Sequence, residues 1–369
     1  MKSRVVFLVA SLRGGGAERV FVLMANELAA RGHAVTLLTW NGEGPNARLL
    51  GPSVELVDLA LPLRGEGYGR SATLRSILRT ARLLRQLRPD AVFSAPEFFN
   101  LVTTLSLMIG ASRARFFPSF HAARALPGGG LGSALAVKLS ALVARRATKA
   151  IAVSAGVGRE LVERGFPEAK VVVIHNPLPG QAIPKSADHP WRAAIAAMGE
   201  GPVVATAGRL VPVKDHRTLI RAFALLRAKR PARLVIFGEG PLEGELRAFA
   251  GECGVGADVL FPGYVNDPAA CYAVADLFVL SSLTEGFGNV LVEAMEAGVS
   301  VVSTDAPYGP REILEDGRLG PLVPVGDAAA LAAAMEATLD RPIPPALLRE
   351  KAAEFGTARI GNLYEALLR

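Results

Sequence analysis

Four charged residues stand at spacings suited to a phosphorylated, hydroxyl-rich ligand: Arg209 and Lys214 in "ATAGRLVPVKDH", and Glu285 and Glu293 in "LTEGFGNVLVEAM". Two cations five residues apart, just past a β-branched run, can neutralise a diphosphate, with the arginine gripping it bidentately. Carboxylates accept paired hydrogen bonds from vicinal hydroxyls and so suit a sugar or a ribose. On a continuous helix, residues eight apart differ by about 80° in direction, so the two glutamates do not share a face. Gly286 and Gly288 instead allow a tight turn, and "NVLVEAMEAG" starts a helix whose unsatisfied N–H groups favour an anion or hydroxyls. The spacing predicts Glu285 in a loop and Glu293 inside the helix. The plainer alternative is a glutamate complementing a helix dipole, a surface glutamate and a pair of surface cations.

Two glycine clusters and a histidine extend the set. "VIFGEGPLEGEL" places Gly238 and Gly240 between a strand and a helix, but its next glycine, Gly244, falls one position late for a dinucleotide fingerprint. "ASLRGGGAERV" places Gly14, Gly15 and Gly16 between a strand and a helix, without the lysine of a nucleotide-hydrolase phosphate loop. His121 ends the run "RARFFPSF", at the strand edge where such sheets bind ligands, although a lone histidine is often structural. Asp-x-Asp, zinc-type Cys/His clusters and a Gly-x-Ser-x-Gly elbow are all missing, which disfavours a metal-held diphosphate, a zinc site and a serine hydrolase.

The elements that must position these residues follow βαβ grammar. Runs such as "RVVFLVA", "AVTLLT", "AVFSA" and "KAIAVS" read as strands separated by helical patterns such as "ERVFVLMANELAARG". After the proline-rich "NPLPGQAIPKSADHPW" the grammar restarts with "PVVATAG", "ARLVIFG", "DVLFPG", "DLFVLSS" and "VSVVSTD". With 369 residues, the chain is long enough for two cores. It reads as α/β, two Rossmann-like parallel-sheet domains: 1–178, a linker over 179–198, 199–344, and a last helix within 345–369 that packs on either domain. In such sheets ligands bind beyond the strand C-terminal edges, so a cleft between the domains is the expected site.

Charge is unevenly shared. Residues 1–178 carry 23 Lys and Arg against 11 Asp and Glu, whereas residues 179–369 carry 18 against 23. In "RSATLRSILRTARLLRQLRPD" Arg75, Arg79 and Arg82 align on one side of a helix with Ile77, Leu83, Leu84 and Leu87 mainly opposite. The helix either packs its apolar side and solvates its arginines, or meets an anionic membrane surface. Aromatics make up only 6% of the chain and no stacking platform is visible, which argues against nucleic acid. No stretch approaches the roughly 20 apolar residues of a membrane span, no secretory signal is evident, and two cysteines form no disulfide framework; a cytoplasmic protein is expected.

In their order along nearly the whole chain, "GGGAERV", "RGHAVTLLT", "AIAVSAGVGRELVERG", "VVVIHNP", "GRLVPVKD", "VIFGEGP", "PGYVND", "EGFGNVLVEAMEAGVSVVSTD" and "GPREIL" resemble the family-four retaining glycosyltransferases, which have the GT-B fold. The resemblance implies transfer of a sugar from a nucleotide diphosphate sugar with retained configuration and without a metal or other cofactor. It implies that Arg209 and Lys214 neutralise the departing diphosphate, that Glu285 faces the donor sugar and that Glu293 holds the ribose. Gly208, Gly238, Gly240, Gly286, Phe287, Gly288 and Asn289 would complete the donor cradle, Gly14 to Gly16 would close over it, and His121 would line the reaction centre. Within the family the closest likeness is to enzymes that extend lipid-linked or cell-surface oligosaccharides, often with UDP-linked N-acetylhexosamines. Those usually show proline where Gly288 stands. The implied partners are the nucleotide sugar, a glycan or lipid-diphosphate-linked acceptor and the inner face of the cytoplasmic membrane. The competing readings are a GT-B sugar-nucleotide epimerase, an NAD-dependent oxidoreductase and an inactive binding subunit.

Overall fold

Apolar side chains fill β1 (Arg4–Ser11) from Val5 to Val9, and all five are buried, as in a strand covered on both faces. The computed structural model describes residues 2–13, 15–61, 70–121, 135, 137–178, 190–265 and 268–369. They fall into two units, Met1–Pro179 with Gly356–Arg369, and Gly180–Phe355.

The first unit adds β2 (Ala34–Asn41), β3 (Val54–Asp58), β4 (Ala91–Ser94), β5 (Arg115–Phe120), β6 (Ala150–Ala152) and β7 (Val171–Val173). These seven strands are parallel, in the order β3-β2-β1-β4-β5-β6-β7. Phe7, Phe93 and Phe117 stack across β1, β4 and β5 with centroids 4.9 Å apart. The helix Gly16–Ala30 covers them through Phe21, edge-on to Phe7.

The second unit contains β8 (Val203–Ala207), β9 (Arg233–Phe237), β10 (Val259–Gly263), β11 (Leu277–Leu280), β12 (Ser300–Thr304) and β13 (Leu322–Val323). They too are parallel, in the order β10-β9-β8-β11-β12-β13. Leu219, Ile220 and Phe223 of the helix His216–Arg227 pack on Leu234 and Ile236 of the sheet, each such side chain contributing about 1.5–3 kcal/mol of burial.

Both sheets reverse strand order beside their first strand, at β1/β4 and at β8/β11. The crevice beyond the strand ends at such a point is where open α/β sheets bind ligands.

Two expectations are corrected. Within the linker over 179–198, Pro190–Ala197 forms a helix, its Ile195 buried and its Trp191 edge-on to Phe237; residues 179–189 lie outside the described residues. The single helix expected within 345–369 is two, Pro345–Ala353 and Thr357–Ala366. The break follows from burial: Phe355 turns in against Phe287, and extended Gly356 pairs with Leu178. The last helix then places Ile360 and Tyr364 in the first unit's core, Tyr364 lying 5.2 Å from Phe93.

On the helix Arg70–Leu87, Ile77 and Leu84 are buried while Arg75, Arg79 and Arg82 are exposed, as the spacing predicts. Leu74 and Leu78 also face solvent, 61% and 51% exposed, among those arginines. No helix among the described residues is long and apolar enough to cross a membrane.

Candidate active site

The switch point β8/β11 brings the two charged motifs of the second unit together. β8 ends at Ala207 and passes through Gly208 to Arg209, and a short 3-10 turn, Pro212–Lys214, follows. β11 ends at Leu280 and passes through the buried Ser281 and Ser282 to Glu285. The Ser281 hydroxyl donates to the Lys214 carbonyl at 2.8 Å and the Leu283 amide to the Val213 carbonyl at 2.8 Å, tying the two loops side by side.

Lys214 Nζ donates to Glu285 Oε1 at 2.5 Å, and the Ser282 hydroxyl donates to the same oxygen at 2.6 Å. Both charged side chains are mostly shielded, 21% and 12% exposed, so their attraction is screened less than that of a surface pair. Glu285 Oε2 accepts no hydrogen bond among the described residues. Arg209 is exposed, with no ion-pair partner among the described residues. The loops therefore carry one committed cation, one uncommitted cation and one carboxylate with half its accepting capacity in use.

The backbone around Glu285 is closely fitted. The Glu285 amide approaches the Pro307 carbonyl at 3.4 Å, and Glu285 pairs with Tyr308 in a parallel bridge. Tyr308 has φ 88°, unusual for a bulky residue, and a Cβ on Gly309 would lie 1.7 Å from the Phe287 carbonyl oxygen. The Phe287 side chain is buried against Phe355, so it anchors the turn. Gly288 then adopts φ 104° and begins the helix Asn289–Ala297 without a side-chain cap. Proline, fixed near −65°, cannot take that conformation, so the Gly288 turn differs physically from the proline-bearing version.

Glu293 sits in that helix and accepts the Tyr272 hydroxyl at 2.6 Å. Its charge, after burial, raises the pKa of Glu296 one turn on. Asn289 is the first residue of the helix.

Gly238 and Gly240 have a structural reason of their own. Added Cβ atoms would lie 1.9 Å from the Gly208 carbonyl oxygen and 2.4 Å from that of Leu210. These glycines let the loop after β9 press on the loop that carries Arg209, joined by the bonds Gly208 N–H to Phe237 and Leu210 N–H to Glu239, each 2.9 Å.

In the first unit, Gly15 precedes the helix Gly16–Ala30 in extended conformation, and Gly14 lies outside the described residues. His121 follows β5 with its Nε2 2.9 Å from the Ser119 hydroxyl and its ring edge-on to Phe21. Burial lowers its pKa to about 4, so it is neutral near pH 7.

Sequence reasoning passed over Ser282, Tyr272, Tyr308, Asp215 and His216. Asp215, at φ 43°, caps the helix His216–Arg227 by accepting from the Thr218 amide and hydroxyl. His216 is buried beside Lys214, and burial followed by the Lys214 charge lowers its pKa to about 4. The adjacency of Asp215 and His216 to "VPVK" was a signal; Tyr272 and Tyr308 act across the fold and gave none.

Comparison with known proteins fits this geometry. Residues 14–179 match Glycosyltransferase Family 4 and residues 188–358 match Glycosyl transferases group 1, so the two patterns together span nearly the whole chain. The chain belongs to the family-four glycosyltransferases. The transferase is 29% identical to the lipopolysaccharide core biosynthesis glycosyltransferase LpsE of Rhizobium meliloti (strain 1021), over 88% of this chain and 85% of that one. It is 37% identical to the N-acetylgalactosamine-N,N'-diacetylbacillosaminyl-diphospho-undecaprenol 4-alpha-N-acetylgalactosaminyltransferase of Campylobacter jejuni, over 37% of each chain. Among solved structures, the transferase resembles Anabaena HepE in complex with UDP and glucose with TM-score 0.79 at 23% identity, covering 99% of both chains. It resembles S. aureus TarM in complex with UDP and alpha-GlcNAc-glycerol with TM-score 0.79 at 13% identity, covering 100% of both. The transferase has the GT-B fold expected from its sequence, with two parallel-sheet units.

Proposed function

We propose that the protein transfers a sugar from a UDP-linked donor, with retained anomeric configuration and no metal requirement, to a lipid-linked or lipopolysaccharide-type acceptor. The observation that carries this reading is the grouping at the β8/β11 switch point: uncommitted Arg209, and Lys214 holding one oxygen of Glu285 while the other stays open. In the proposed reaction the bond between the sugar's anomeric carbon and the diphosphate oxygen breaks ahead of attack. The electron pair leaves with the diphosphate, whose growing charge Arg209 and Lys214 stabilise as fixed cations. The acceptor oxygen bonds to the anomeric carbon on the face just vacated, and its proton passes to the departing phosphate oxygen. Glu285 Oε2 orients the sugar hydroxyls and Glu293, braced by Tyr272, accepts from the ribose. Gly208, Gly286, Phe287, Gly288 and Asn289 supply backbone to the donor cradle. His121, neutral near pH 7, is assigned a hydrogen-bonding role rather than a cationic one.

The UDP assignment is supported by the UDP-bound structural neighbours, and the acceptor class by the lipopolysaccharide-core and diphospho-undecaprenol relatives. Attachment to an anionic membrane is supported by Leu74 and Leu78 exposed among Arg75, Arg79 and Arg82. The deciding experiment supplies UDP-, GDP- and ADP-linked sugars with lipid-diphosphate oligosaccharide acceptors, with and without EDTA, and reads product and anomeric configuration by NMR. Transfer from a UDP-sugar with retained configuration, unaffected by EDTA and abolished in Arg209→Ala, is the expected result. Inverted product, or an absolute metal requirement, would refute the mechanism; epimerised donor without transfer would favour the isomerase reading.

A further inference from the structure

At the start of the first sheet, on the edge opposite His121, β1, β4 and β5 enter side by side, with Val5 level with Ala91 and Ala91 level with Arg115. β5 runs from Arg115 to Phe120, so about 20 Å of strand separates this edge from the histidine. An open cavity of about 890 Å³ lies here, bounded by strand starts and by residues that follow three helices, Arg70–Leu87, Glu97–Ile109 and Thr357–Ala366.

The cavity has a surplus of positive charge that its own walls do not balance. Arg115 is held by the carbonyls of Leu367 and Leu368, and Arg4 lies 3.7 Å from Asp90. Lys2, Arg85, Arg88 and Arg113 also line the cavity and have no ion-pair partner among the described residues. With Arg369 that makes seven cationic side chains against the one carboxylate of Asp90 among the lining residues. Helix C-termini attract cations, and three of them offset roughly half a charge each, which leaves a surplus of about four to five. Arg88, which lines the cavity, is moreover held at φ 45°, a left-handed conformation in which glycine or asparagine is the easier choice.

We propose that this cavity binds an oligophosphate, a group bearing two or three phosphoryl charges, gripped by the guanidinium groups of Arg85, Arg88 and Arg113. Arginine matches phosphate oxygens in bidentate geometry, and the surplus charge is enough to balance such a group. The site is separate from the loops that carry Arg209 and Glu285 and does not rest on the transferase reading. Its ligand is either a soluble oligophosphate or the diphosphate head of a lipid.

The test is calorimetric titration of tripolyphosphate into the intact chain at physiological ionic strength, where exposed charges are screened beyond about 8 Å. A saturable binding event distinct from any at the Arg209 and Lys214 loops is expected, weakened about tenfold or more in Arg85→Gln/Arg113→Gln. It should persist in Lys214→Gln, which alters the other unit, and in Arg75→Gln/Arg79→Gln, which removes the same charge outside the cavity. Capture on phosphatidylcholine vesicles doped with a polyprenyl diphosphate, competed by tripolyphosphate and lost in Arg85→Gln/Arg113→Gln, would assign the site to a lipid head. Tripolyphosphate binding without such competition would assign it to a soluble ligand. No saturable binding in either arm, or equal weakening by Arg75→Gln/Arg79→Gln, overturns the proposal.

Discussion

The two units share a sheet architecture and differ in what they place at its edges. In the second, the loops after β8 and β11 bring Arg209, Lys214, Glu285 and two serines into one hydrogen-bonded group. In the first, the described residues at the equivalent edge offer backbone at Gly15 and Gly16 and one neutral histidine, while the cations gather on the helix Arg70–Leu87 and at the opposite edge. Topology fixes where a ligand can meet each sheet, and local sequence fixes which chemistry waits there.

The sharpest way to break this contrast is to remove one cation from each unit. Lys214→Ala strands the mostly shielded Glu285 carboxylate and removes charge stabilisation of the leaving group, so transfer should fall about 10²–10³-fold. Arg79→Ala, on an exposed helix face, should change transfer to a water-soluble acceptor less than about twofold. Equal losses in a steady-state assay would end the distinction.

The second contrast lies within one motif. Gly238→Ala drives a Cβ to within 1.9 Å of the Gly208 oxygen at φ 125°, and should lower stability by about 2–4 kcal/mol in urea unfolding. Gly244→Ala, in a helix with no atom within 4 Å of the new Cβ, should raise it by about 0.5–1 kcal/mol.

Acid sensitivity should be shared between the units. His121 and His216 both have pKa values lowered to about 4 from 6.5, so the unfolded chain binds more protons between those pH values. Their contribution to stability is therefore fully present above about pH 6.5 and fades as pH falls toward 4. Burial is the leading cause for both histidines, with the Lys214 charge adding to it at His216, so both act in the same direction. Urea midpoints measured from pH 7 to pH 4 should fall less steeply in His216→Leu than in the wild type.

Twelve of the thirteen strands among the described residues were legible because apolar, β-branched runs ended at glycine, proline or serine, as in "ARLVIFG". β13 escaped because Leu322 and Val323 are too few to make a pattern, and they become a strand only by pairing with β12. The break before Thr357 escaped because Phe355 and Tyr364 read as one apolar periodicity although they enter different cores. In the candidate site, Arg209, Lys214, Glu285 and Glu293 were visible as charges beside glycine turns. What was not visible is the pairing of Lys214 with Glu285 across 71 residues of sequence, or the Tyr272 brace on Glu293, since such contacts are set by strand order.

The most direct measurement is a calorimetric titration of UDP, GDP and ADP into the wild-type protein, Glu293→Gln and Glu285→Gln. The account predicts that UDP alone binds tightly at one site, about tenfold more weakly in Glu293→Gln and nearly unchanged in Glu285→Gln, whose defect appears in transfer. Binding of no nucleotide, or UDP affinity unaltered in Glu293→Gln, would contradict the assignment of the donor site to the loops after β8 and β11.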